Sequence, residues 1–175
     1  MKDVEALERL VAAGGPELRR HFLAACVLHV ARAFDRVVGL PPSLKDDVLV
    51  PTVVLLTGAE APTRGEVARI LAEGERLAGA LQEGGETDLQ SMVFACLSSL
   101  EIATGTPDSV RVVVNNLDET IRLCDPEGEA GCDEERSWRE RAAEALGERA
   151  SSDVVDSLAA QELAWEHRWR TDYNR

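Results

Sequence analysis

Lysine is nearly missing from this 175-residue chain, where Lys2 and Lys45 stand beside 17 arginines. The two types total 19 against 32 aspartates and glutamates, a formal charge of −13. That charge opposes a phosphate backbone, whose affinity for proteins comes from cations that release its counterions. The sequence therefore predicts no nucleic-acid partner and no anionic membrane surface. Long apolar runs are missing too. The longest, Val48 to Leu56, contains Pro51 and Thr52 and is about half a membrane span. The opening Met1-Lys2-Asp3-Val4-Glu5 lacks the basic and then apolar run of a signal peptide, which places the expected location in the cytoplasm. Four cysteines, Cys26, Cys96, Cys124 and Cys132, show no close pairing and read as reduced, mostly core thiols. The excess of arginine over lysine leads to the expectation of a GC-rich bacterial genome, as a compositional association alone.

What is present is an ordinary domain composition, 45% hydrophobic, 29% charged and 4% aromatic. At this length a chain buries roughly 70% of its unfolded surface, enough for one core over residues 1–175 without disulfides or metal. The acid excess is uneven. Residues 1–60 carry 7 basic and 8 acidic side chains, 61–120 carry 4 and 10, and 121–175 carry 8 and 14. The negative field belongs to the last two thirds, where it either steers a basic partner or keeps the surface solvated and repulsive.

Capping signals and apolar periodicity predict an all-α chain of seven to eight helices. The first runs from Val4 to Ala13 and stops at Gly14-Gly15. The second runs from Pro16 to Val38, with Leu18, Phe22, Cys26, His29, Ala33 and Val37 on one stripe. Ser43 opens a third through Thr57, bent or interrupted at Pro51. Thr63 and Glu66 form a capping box for the fourth, in which Gly74 and Gly79 would admit a close neighbour. Thr87 and Gln90 form another for the fifth, and Thr106-Pro107 opens a sixth through Ile121. Asp125 to Cys132 reads as an exposed loop, followed by helices from Asp133 to Arg149 and from Ser152 to Thr171. Trp165 and Trp169, one turn apart, read as a packing anchor. The second, fifth and sixth helices should lie near the centre.

Catalytic signatures are missing: there is no nucleophile elbow, no phosphate loop and no dinucleotide fingerprint. The Glu-x-x-His pairs of di-iron bundles are also missing, and the cysteine spacing lacks a second close pair for zinc. The sequence predicts no cofactor. Four polar residues on the second and fifth helices remain as candidates for a small enzyme or ligand-binding bundle: His21, Cys26, His29 and Glu101. His21 and His29 stand eight residues apart, about 12 Å along a helix, too far to share one ion unaided. His29 reads equally as a hydrogen-bonded core histidine, His21 as a boundary or surface residue, and Glu101 as a solvated helix end. Cys26 and His29 could touch across one turn, but thiols in apolar stripes are usually inert.

Three segments resemble the YjaG-like bacterial proteins, a helical family of unknown function. They are Leu7-Glu8-Arg9-Leu10 with His21 to Cys26; Thr87 to Leu89 through Phe94 to Glu101, then Val110 to Ile121; and Ala160 to Trp169. The match spans about two thirds of the chain, and 41–62 departs from the pattern. The resemblance implies an all-α fold and a cytoplasmic bacterial protein, and carries over no catalytic residue. The leading expectation is a non-catalytic interaction module, an immunity-type or regulatory inhibitor of a basic protein partner, with homodimerisation as an addition. An acidic mimic of nucleic acid is disfavoured by interspersed Arg136, Arg139 and Arg141.

Overall fold

The computed structural model describes residues 2–105 and 109–174. Nine helices follow one another with no strand among the described residues: α1 (Lys2–Ala13), α2 (Gly15–Val37), α3 (42–57), α4 (Arg64–Gly84), α5 (Thr87–Ala103), α6 (Val110–Cys124), α7 (Glu129–Glu148), α8 (Ser152–Ala159) and α9 (Ala164–Tyr173). The all-α class holds, with more helices than the seven to eight expected. The proposed opening of the sixth helix at Thr106-Pro107 lies outside the described residues.

The centre is α2, against which α1, α3, α5, α6, α7, α8 and α9 all pack. Fourteen of its 23 residues are buried, among them Leu23, Val27, Val30 and Phe34, which widen the stripe as the sequence predicts, and Ala24, Ala25 and Ala31, which extend the burial around the rod. That is why His21 is buried rather than at the surface. An extended hairpin of α5 and α6 lies alongside, and α4 packs on α5 and α3. Gly74 of α4 sits against Leu97 of α5 so closely that an added Cβ would overlap the leucine side chain, as the sequence predicts; beside Gly79 there is open space.

Local chemistry explains the boundaries. The Thr63–Glu66 box forms, with the Glu66 carboxylate accepting from the Thr63 amide at 2.7 Å and Thr63 Oγ1 accepting from the Glu66 amide at 3.3 Å. The second box does not. Thr87 already lies inside α5, and Gln90 turns its amide to the Ala78 carbonyl of α4 instead. Pro51 leaves α3 continuous, but the turn before it, Lys45–Leu49, widens to π-helical geometry, and the Val50 amide reaches back to the Lys45 carbonyl. A widened turn relieves the clash that a proline ring makes with the carbonyl four residues earlier. The expected loop at 125–132 shrinks to 125–128, because α7 begins at Glu129.

The expected helix from Ser152 to Thr171 is two helices, broken at 160–163. Nothing in that stretch is glycine or proline. The break survives because side chains from elsewhere take up the backbone groups it frees. His29 Nε2 lies 3.0 Å from the Gln161 carbonyl, Glu166 accepts from the Leu163 amide at 3.3 Å, and Glu134 accepts from the Trp165 amide at 2.9 Å. Backbone groups released from a helix and buried must find such partners.

Candidate functional site

His29 is fully buried and faces two long-range acceptors. Its Nδ1 lies 3.1 Å from Glu135 Oε1 and its Nε2 3.0 Å from the Gln161 carbonyl, with Glu166 Oε1 at 3.8 Å. An imidazole donates from both nitrogens only when doubly protonated, so keeping both bonds with Glu135 ionised requires the imidazolium. The ring is sandwiched onto Trp138, centroids 4.0 Å apart and 14° from parallel. Arg139 of α7 donates to Asp118 of α6 at 2.6 Å, and Arg36 of α2 holds Glu166 Oε2. Three carboxylates, Asp118, Glu135 and Glu166, thus meet three cations, His29, Arg36 and Arg139. Buried charges are tolerated when balanced and hydrogen-bonded in this way.

The electrostatics follow from that geometry. Burial pushes Glu135 toward its neutral form, but the charge and hydrogen bond of His29, aided by Arg139, outweigh it and hold the carboxyl below the ordinary glutamate range. Burial pushes the Cys26 thiol up to about 12, against a smaller opposing pull from Arg139. A thiol so placed carries almost no thiolate at neutral pH, the form that a nucleophile needs.

The four candidates divide accordingly. Cys26 and His29 lie one turn apart on α2 beside the same Glu135, inside the filled core. His21 is buried at the other end of α2, its Nδ1 2.9 Å from the Glu17 carbonyl. Glu101 stands half-exposed near the end of α5, where the Thr104 hydroxyl donates to its carbonyl. None of the four lines any of the main clefts. Among the described residues no three His, Cys, Asp or Glu side chains gather as a metal site would require, and no helix is long and apolar enough to cross a membrane.

The sequence reading missed Glu135 and Arg139. Both fall in register with the buried stripe Cys132, Trp138, Ala142 and Leu146 on α7, and a charge in register with an apolar stripe is the signal that marks them.

On the surface, a groove of about 490 Å³ separates the α1–α2 corner from α7. Leu10, Leu18, Ala143 and Leu146 line its floor, and Glu17 and Glu144 its rim. Leu10 is 44% exposed. Glu140, Glu144 and Glu148 follow at one-turn steps along α7, all exposed, while the ion pairs of that helix are made by Glu129, Asp133, Glu134, Glu135, Arg136 and Arg139. No protein family, curated protein or solved structure matches this chain.

Proposed function

We propose that this protein is a non-catalytic interaction module that binds a basic partner protein, in the manner of an immunity-type or regulatory inhibitor. The carrying observation is the groove between α1, α2 and α7, an apolar floor with exposed Leu10 beside a rim of Glu17 and Glu144, with Glu140 and Glu148 one turn to either side of Glu144 on α7 and none of the four in an ion pair among the described residues. Like charges at i, i+4 cost a helix a few tenths of a kcal/mol per pair. A segment with an apolar side chain flanked by arginine or lysine relieves that repulsion and covers Leu10. A second copy of this chain would bring its own −13 to the same face, which opposes homodimerisation there. The buried state of Cys26 and His29 supports the same reading, since neither is reached from a cleft. The YjaG-like resemblance adds no residue to it.

The test is fluorescence anisotropy with a labelled helical peptide of leucines and lysines at helical spacing, and a control with glutamates for the lysines. The wild-type protein should bind the lysine peptide, weaken as salt rises, and ignore the glutamate peptide. The Glu140→Lys/Glu144→Lys/Glu148→Lys variant should bind it at least about tenfold less well with unchanged circular dichroism. Equal binding by that variant, or a self-associating protein that takes up neither peptide, would overturn the reading.

A further inference from the structure

Six Asp, Glu and Arg side chains are buried among the described residues, and five stand in ion pairs: Asp118 with Arg139, Asp125 with Arg168, Glu135 with Arg139 and His29, and Glu166 with Arg36. Arg20, 6% exposed, is the sixth and has no carboxylate within 4 Å among the described residues. Its Nη2 donates to the Gly58 carbonyl at 3.2 Å and its Nε has no partner. In a chain with 32 acids, an uncompensated buried guanidinium is the exception, and such a charge is costly unless an anion meets it.

Arg20 lines a cleft of about 330 Å³ where the first turn of α2 meets the end of α5. Gly15, Pro16, Arg19 and Arg20 form one wall, Ile102 and Ala103 the other, and among the described residues no carboxylate lines it. The first turn of α2 is uncapped, since Gly14 offers no side-chain acceptor, and this 23-residue helix ends there with its free amides and positive dipole end; the acidic side chain of that turn, Glu17, is exposed and lines the acidic groove rather than this cleft. At the opposing helix end three of the last carbonyls already accept: Leu100 from the Thr104 amide at 3.0 Å, Glu101 from the Thr104 hydroxyl at 2.9 Å and Ile102 from the Gly105 amide at 3.1 Å. Arg19, half-buried, also has no ion-pair partner among the described residues.

We propose that this cleft binds a small organic phosphate. Arg20 and Arg19 would hold the phosphate oxygens against the first amides of α2, and the short carbon skeleton would lie on Ile102 and Ala103. Guanidinium groups suit phosphate because their planar donors pair with two oxygens at once. This site is separate from the acidic groove and stands or falls without it.

The experiment is a nitrogen-15 NMR titration of the whole protein with inorganic phosphate, glycerol 3-phosphate and glycerol, following the Gly15, Glu17 and Leu18 amides and the Arg20 Nε–H. Both phosphates should give saturable shifts at these four signals, glycerol 3-phosphate the tighter, and glycerol none. Arg19→Gln, at a half-buried position that leaves the Arg20–Gly58 bond intact, should weaken binding about tenfold, the worth of one charge-assisted bond. Arg20→Lys should weaken it as well, provided its amide spectrum remains folded; Arg19→Gln decides the matter if it does not. Shifts that stay linear with concentration, or that fall on exposed arginines as much as on Arg20, would overturn the proposal. So would an Arg20 Nε–H signal that moves on Asp108→Asn in phosphate-free buffer and ignores phosphate, because the chain itself would then supply the anion.

Discussion

His29 and Trp138 lie face to face, 4.0 Å between ring centroids, and so fix the crossing of α2 over α7. On either side of that stack the histidine is bonded to Glu135 and to the Gln161 carbonyl. Replacing it removes one cation from a balanced cluster in which Glu135 Oε2 already lacks a partner. His29→Leu should therefore cost about 3–5 kcal/mol, the penalty of leaving a buried carboxylate unpaired. Urea unfolding of the variant measures it. The double variant His29→Leu/Glu135→Leu should cost less than the sum of the two single changes, because it removes the orphaned charge as well.

Stability should fall with acid through Glu135. Its folded carboxyl titrates below the unfolded value of 4.5, so its contribution is fully present above that pH and is lost as pH falls through the lower folded value. Denaturant unfolding measured from neutral pH downward should show that loss, and Glu135→Gln should flatten it while lowering stability at neutral pH. An unchanged acid slope in Glu135→Gln would assign the loss to other carboxyls.

The thiols should be slow in the folded protein. Burial pushes Cys26 and Cys96 up to about 12, and Cys124 is raised by burial and by the nearby Asp88 carboxylate. A thiol reagent at mildly alkaline pH should react first at Cys124, the one cysteine with partial exposure, and with all four cysteines in denaturant. Rapid native modification of Cys26 would contradict the closed core described above.

Two glycine-to-alanine changes should act in opposite directions. A Cβ on Gly131 would run into the Asp125 carboxylate and approach Ile121 and Trp165 at 2.9 and 3.1 Å, and Asp125 is pinned by Arg168. Gly131→Ala should cost about 1–3 kcal/mol. Gly79 meets nothing within 4 Å in mid-helix, so Gly79→Ala should stabilise by up to about 1 kcal/mol. Thermal melts of the two variants should move apart about the wild type.

Legibility in the sequence followed the range of the forces involved. The all-α class, the Thr63–Glu66 cap and the close contact at Gly74 were readable because each depends on residues a few positions apart or on helical periodicity. The break at 160–163 was not, because it is held by His29 and Glu134, 132 and 31 residues from the groups they bond. The π turn at Lys45–Leu49 was half readable: Pro51 announced a disturbance, but the preceding turn absorbed it. Of the candidates, His29 and Cys26 proved to be core residues, whereas the partners that give His29 its setting lie on α7 and α9, beyond the reach of local spacing.

The ties between α2 and the end of the chain have a consequence for how the protein is made. His29 bonds residues 106 and 132 positions later, Arg32 reaches Asp156 across 124, and Arg36 reaches Glu166 across 130. During synthesis α2 therefore leaves the ribosome long before the segments that neutralise it, with its apolar surface and its cations waiting for more than half of the chain. The core can close only after the last helix has emerged, so truncated or stalled chains should be the ones that chaperones hold.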